Sequence, residues 1–436
     1  MAIVYVFVSL CVLLFVLRRR FDFLSMSAVS FILYTSSCIA GKTWITRDSA
    51  GRMYYSADIS TRTYLLVLLQ LLLILAVILA DYVKKRKRPG ERLLPRGLLL
   101  SAGSSQPAAE SVFWPGLMLG CALVFVYTLV ARIGLSALFS GAHKSDLLSR
   151  VGGLFSFAIW GILLCFFYGV QTGRRWYVVL SAVLILVTVL IGSRAYIAAA
   201  LVGVLVMKAQ VIRNAIRANR KVLILGFVAA VLLLLYKNVY KDIRALNFAA
   251  AVRTLTTWKT YADMLDVAEF RINSALFNYV VDTGFRLPAP DSAARILSVF
   301  PKVNDFIPTK YPIRLATIIK ENFFNASYGL ASSFWAESYA MGRAPFLALI
   351  TVLWLILVRR SGRHLQAPGR SSPFAVTAAS YCCFYIHRLD WVQVCGCLKS
   401  VVFFYLVWLV LRSFRLKPVR VGVSKSDGLT DPAGSL

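Results

Sequence analysis

Trp176–Met207 reads WYVVLSAVLILVTVLIGSRAYIAAALVGVLVM, thirty-two residues broken only at Gly192-Ser193-Arg194. A helix needs about 20 residues to cross roughly 30 Å of hydrocarbon, so two full crossings and a turn need more than 40. The stretch is too apolar for a surface and too short for two complete crossings. It therefore predicts a helical hairpin whose turn, with Arg194, sits shallowly inside the edge of a bilayer. No backbone group goes unpaired in lipid, so such runs are helices.

Similar runs recur on both sides of it. Before it come Ala2–Leu17, Phe21–Ala40, Thr63–Val83, Val112–Val130 and Val151–Val170; after it come Val222–Tyr236, Phe346–Val358, Pro373–Ile386 and Val392–Leu411. With the two halves of Trp176–Met207 this makes eleven. The chain is 59% hydrophobic with a mean hydropathy of +0.70, values that exclude an ordinary soluble globule. The alternation of a membrane barrel is missing. The expected fold is all-α: a polytopic bundle of about 11 transmembrane helices with a large helical extracytoplasmic loop.

A net charge of +30 raises the possibility of a nucleic-acid partner. The placement of the charge argues against it. Arg18–Arg20, Lys84–Arg96, Arg174–Arg175, Lys208–Lys221, Arg359–Arg370 and Arg412–Lys425 fall on one side of an eleven-helix chain, as cytoplasmic loops do. The opposite side receives Gly41–Arg62, Gly134–Arg150, Arg194, the long segment 238–344 and His387–Trp391. The N-terminus is then outside and the C-terminus inside. The chain divides into helices one to eight (1–237), the loop domain (238–344), helices nine to eleven (345–411) and a cytoplasmic tail (412–436). The first run lacks a small-residue cleavage site and is expected to stay as a membrane helix. All eight cysteines lie in or beside apolar runs. Cys395-Gly-Cys397 has no second Cys or His pair at zinc spacing, so neither metal nor cofactor is expected.

The long segment reads as mostly helical. Trp258, Tyr261, Leu265, Ala268 and Ile272 recur at spacings of three and four. Asp291 is read as capping a short helix that Pro301 ends, and Pro312 as starting one that runs to Phe324 with Arg314, Lys320 and Glu321. The ninth run is short, so its helix is expected to reach back through Tyr339 toward Glu337. Pro373–Leu411 is also short for two crossings, which draws His387–Trp391 to the same boundary. Charge at a membrane edge marks a functional site by default.

Three features together resemble the O-antigen polymerase group, the oligosaccharide repeat-unit polymerases of bacterial envelopes. They are Gly192-Ser-Arg194 opening a helix, the outer segment ending in Gly329-Leu-Ala-Ser-Ser-Phe-Trp-Ala-Glu337-Ser-Tyr-Ala-Met-Gly342, and Arg388 before the last helix. The family is usually drawn with more than eleven helices. The resemblance implies a metal-independent glycosyltransferase in the bacterial inner membrane, active at its periplasmic face. It would move a growing glycan from one undecaprenyl diphosphate onto the sugar end of a second lipid-linked unit. Its partners would be that donor and acceptor, membrane lipids and a chain-length regulator, with no nucleic acid.

Such a reaction needs fixed cations for a diphosphate leaving group, a task that suits arginine's planar fork. It also needs a base within reach of the acceptor hydroxyl. Arg194 is the first choice for the diphosphate, the alternative being an arginine snorkelling from a helix end. Arg150, Arg271, Arg314, Lys320 and Arg388 are the other candidates, against a reading as interface anchors or solvated charges. Glu337 is the preferred base, against an ion pair with Arg343. His387 and Asp390 are catalytic alternatives, with Glu321 and His143 behind them. A transporter or flippase would favour inverted repeats and helices broken at mid-membrane, and none is visible. A ligase acting on another acceptor stays open.

Overall fold

The computed structural model describes residues 1–19, 21–46, 53–87, 108–139, 144–218, 239–240, 242–257, 269–300, 315–319, 333–365 and 372–413. The eighth expected run, Val222–Tyr236, lies outside these residues. So do Trp258–Ala268, Arg314, Lys320, Glu321 and His143. The other ten runs coincide with helices.

In chain order these are α1 (Ala2–Arg18), α2 (Phe23–Tyr34), α3 (Ser37–Ala40) and α4 (Thr61–Lys87). Next come α5 (Ala108–Tyr127), which passes into a π-helical turn over Thr128–Ile133, and then α6 (Leu135–Leu138), α7 (Lys144–Thr172), α8 (Arg175–Leu190) and α9 (Ala195–Met207). The short α10 (Ala209–Ala218) and α11 (Phe248–Thr256) follow, then α12 (Glu269–Asp282), α13 (Ala289–Leu297) and α14 (Leu315–Ile319). The chain closes with α15 (Phe334–His364), α16 (Ser372–Cys382), a 3₁₀ turn at Tyr385–Arg388 and α17 (Trp391–Ser413). Among the described residues, five helical stretches are long and apolar enough to cross a membrane: Thr61–Val83, Val112–Ile133, Gly152–Thr172, Phe334–Arg363 and Trp391–Ser413. With the shorter apolar helices beside them they make this a helical membrane protein.

The fold is helical as expected, and one loop reading within it needs correction. The stretch read as a polar loop, Gly41–Arg62, holds a hairpin in which β1 (Lys42–Thr46) pairs antiparallel with β2 (Met53–Asp58). Trp44 lies opposite Ser56, and Ile45 opposite Tyr55. These are side chains that suit a pleated, half-buried surface. The charges and hydroxyls around them concealed a strand signal of only five or six residues.

The short helices are as expected. α8, α9 and α16 hold 16, 13 and 11 residues. At 1.5 Å per residue they are roughly 24, 20 and 17 Å long, all below the thickness of a hydrocarbon core. Almost every side chain of α16 is buried, and it packs against α7, α9, α15 and α17. Its alanines, serines and threonine let neighbours approach closely, the usual means of packing helices in lipid. Gly203 of α9 lies against the Phe167 ring, where any Cβ would collide with it.

Hydrogen bonds sort the helix ends. At one end Arg19 meets Asp22 at 2.6 Å and Asp81 at 3.6 Å, while Arg359 Nε donates to Asp81 at 2.9 Å. The C-terminal ends of α1, α4 and α15 are tied there. Gln171 joins the end of α7 to Ser372 (2.9 Å) and to the Met207 sulfur (3.7 Å). At the opposite end the Asn278 amide donates to the Asp58 carbonyl and Tyr55 hydroxyl and accepts from Ser60 N–H. Ser274 donates to the Tyr34 carbonyl, and Leu287 N–H to Ala340.

The described part of 238–344 is therefore not a body apart. α12 buries Ile272, Ala275, Leu276, Phe277, Val280 and Val281 and packs on β1, α2, α4 and α15. α15 does reach back past Tyr339, but with a break at Gly342-Arg343, where Arg343 has φ 60°. A left-handed arginine is costly. It is held here by a hydrogen bond from its guanidinium to the Gly284 carbonyl and by Tyr339, whose ring centre is 5.3 Å away.

Candidate functional site

The first turn of α15 delivers Glu337. Ser333 caps the helix, its hydroxyl accepting from Ala336 N–H at 3.4 Å. Glu337 is fully buried. Its Oε1 accepts from Leu315 N–H at 3.2 Å and lies 3.6 Å from the Arg295 guanidinium; its Oε2 accepts from Trp391 N–H at 2.6 Å. Arg295, also buried, meets Asp291 at 2.6 Å one turn back on α13, and the Trp391 indole donates to the Arg295 carbonyl at 2.7 Å. The Phe334 ring stacks on Trp391 at 5.2 Å. Taking these charges out of water costs several kcal/mol per ion, which pairing and amide donors must offset.

Trp391 opens α17, so its N–H is one of the donors a helix leaves without an internal partner. Glu337 takes that donor, and Asp390 takes the next, accepting from Gln393 N–H at 2.7 Å. Gln393 returns the bond, accepting from Asp390 N–H at 3.4 Å, which completes a capping box. Two carboxylates thus gather at the start of α17, where the helix dipole favours negative charge.

His387 lies one layer away on the 3₁₀ turn, buried against Tyr34, whose ring stacks on it at 5.1 Å. The Trp335 indole N–H, which can only donate, points at His387 Nδ1 from 2.9 Å. Nδ1 must therefore accept, and the proton of the neutral ring sits on Nε2, 3.0 Å from Ser30 Oγ. Ser30 passes its own proton to the Cys383 carbonyl at 2.6 Å. An imidazolium would set two N–H groups against each other at Trp335. Burial acts in the same direction, pushing the His387 pKa far below its ordinary value.

The remaining sequence candidates are spread more widely. Arg194 is half-buried at the start of α9, and Arg150 is exposed on α7 before its kink at Gly152. The Arg271 guanidinium stands 4.3 Å from the Trp44 ring centre and Arg388 5.6 Å from Tyr385, both half-buried. Arg314 and Lys320 lie outside the described residues. The structure therefore joins Glu337 to Asp390 through Trp391 and sets His387 next to them, while Arg194 and Arg150 belong to other elements.

Two readings are corrected. The ion-pair partner of Glu337 is Arg295, while Arg343 holds Gly284. Asp291 lies inside the first turn of α13, paired with Arg295, and does not cap the helix. The i,i+4 spacing of Asp291 and Arg295 was visible in the sequence, but nothing in the chain's order showed that both are buried under Trp391. Arg244 was also missed. It is buried, and it reaches the Leu190 carbonyl at 3.5 Å beside the Gly192–Arg194 turn. A further recess, between α2, α4, α12 and α15, is lined by His387, Trp335 and Asn273, and by none of Glu337, Arg194 and Arg388. Among the described residues no three His, Cys, Asp or Glu side chains are placed to hold a metal ion.

Comparison with protein-family models, with curated proteins and with solved structures finds no match to this chain.

Proposed function

We propose that the protein is a glycosyltransferase that polymerises undecaprenyl-diphosphate-linked oligosaccharide units at the periplasmic face of a bacterial inner membrane. Eleven crossings, with the Asp81–Arg359 end facing the cytoplasm, go with this reading. The observation that carries it is the meeting of Glu337, Asp390 and Arg295 at one junction. Glu337 belongs to one of the stretches that carry the family resemblance, Asp390 lies two residues after Arg388, which carries another part of it, and α13 of the long segment closes over them. A carboxylate kept out of water beside a guanidinium has the parts that the reaction needs: an acceptor of the sugar hydroxyl's proton and a fixed cation facing developing phosphate charge. Both oxygens of Glu337 are engaged in this state, so catalysis by it requires Leu315 or Arg295 to give way when substrate arrives. His387, its Nδ1 occupied, serves as a positioning residue in this scheme. Arg194, Arg244 and Arg388 supply cations at the same end.

The test is glycan length in cells that carry Glu337→Gln, Arg194→Lys or Arg388→Lys in place of the native protein. Loss of long chains with normal membrane insertion is expected, by a factor on the order of 10² in turnover for the residue facing the leaving group. Full-length glycan in all three variants would end the assignment. Transfer to a lipid A core in place of a second repeat unit would favour the ligase.

A further inference from the structure

Two asparagines on α12 differ in what they do. Asn278 uses its amide three times, on Ser60, Tyr55 and Asp58. Asn273 is 4% exposed, and among the described residues neither its Nδ2 nor its Oδ1 has a hydrogen-bond partner. A buried side-chain amide left this way costs stability, so its retention calls for an explanation.

Asn273 lines the recess that also holds Trp335 and His387. The recess has room for about one water-sized group. No Lys, Arg, Asp or Glu lines it among the described residues, and His387 is held neutral by Trp335. A phosphate or a cation would have no countercharge there. An amide presents a donor and an acceptor side by side, and a hydroxyl both donates and accepts. Tyr34, Phe277 and Trp335 give the surrounding wall apolar, aromatic character, which suits the C–H faces of a sugar ring. Trp335 shares the first turn of α15 with Glu337, and His387 lies on the turn that leads to Asp390, so the recess and the carboxylate junction are built on the same two elements.

We propose that this recess is a sugar subsite in which the Asn273 amide binds a hydroxyl of an uncharged glycan residue, the ring itself staying at the mouth. The inference rests on the glycosyltransferase reading and deepens it: the acceptor's sugar, not its diphosphate, is held between α12 and the start of α15.

The experiment is saturation-transfer NMR on the full chain in detergent with methyl glycosides of glucose, galactose and N-acetylglucosamine, with inorganic diphosphate as a charged control. Saturation of at least one glycoside is expected. It should weaken roughly tenfold in Asn273→Leu, as loss of one or two hydrogen bonds implies, and likewise in Asn273→Ala should the leucine variant fold poorly. No glycoside signal with the native chain, or equal signals in native and variant proteins, overturns the subsite; the recess then holds only water. The outcome is separable from that of the parent reading. If Glu337→Gln abolishes polymer while Asn273→Leu keeps full glycoside contact, the polymerase stands without this subsite. If Asn273→Leu loses contact while Glu337→Gln, Arg194→Lys and Arg388→Lys all make normal polymer, sugar binding stands and the polymerase falls.

Discussion

The indole N–H of Trp335, aimed at His387 Nδ1 from 2.9 Å, shows how much one neighbour decides about a residue's chemistry. Only three histidines occur in the chain, and two were expected on the outer side, so His387 was conspicuous as a candidate base. Its surroundings make it a neutral, oriented ring instead. A consequence for stability follows. In the unfolded chain the ring takes a proton below about pH 6.5; in the folded protein burial pushes its pKa down to about 3. Between those values the unfolded state binds the extra proton, so this group's stability is intact above pH 6.5 and is lost as pH falls toward 3. The expected slope is about 1.4 kcal/mol per pH unit. Thermal unfolding in detergent between pH 7 and 4.5 should flatten in His387→Gln relative to the native chain. Equal slopes in the two proteins would refute the reading of His387 as a ring that the fold keeps neutral.

Four elements meet at Glu337: α13 through Arg295, α14 through the Leu315 amide, α15 through Glu337 itself and α17 through the Trp391 amide. The junction replaces a continuous apolar contact with a few charged ones. Removing Arg295 therefore leaves the carboxylates of Asp291 and Glu337 buried without their shared cation. Arg295→Met should cost about 3–5 kcal/mol, seen as a lower unfolding midpoint in detergent. Adding Glu337→Gln to it should recover part of that loss, because the stranded carboxylate disappears. Additive losses in the double variant would mean that the two side chains are not coupled. The helices themselves could be read from apolar runs. The kinks at Gly152 and Gly342-Arg343 could not, since a positive φ is set by what the chain must reach beyond the break.

For the whole molecule, the two ends of the bundle differ in how they are tied. One is clamped by Arg19, Asp22, Asp81 and Arg359; the other is built from the hairpin, α12, α13 and the starts of α15 and α17. This separation matches the division of loops by positive charge, and it can be tested directly. Arg286, exposed between α12 and α13, and Arg360, exposed near the end of α15, should lie on opposite sides of the membrane. In Arg286→Cys and Arg360→Cys proteins, a membrane-impermeant maleimide added to intact spheroplasts should label the first and spare the second. Labelling of both, or of Arg360→Cys alone, would break the eleven-crossing arrangement.

Apolar runs near 20 residues determined by sequence alone that this is a helical membrane protein, and the shortfall at Trp176–Met207 and Pro373–Leu411 that short helices stand among the long ones. Those properties are local, because lipid requires each helix to satisfy its own backbone. The tertiary structure alone decided that Glu337 pairs with Arg295 and not with the nearer Arg343, that Gly41–Arg62 folds into a hairpin, and that Asn273 faces a recess while Asn278 is fully bonded. The first and the last depend on partners tens to hundreds of residues away, and the hairpin on a pairing across its own turn. Burial, which turns a surface charge into a costly one, is a property of the packed whole.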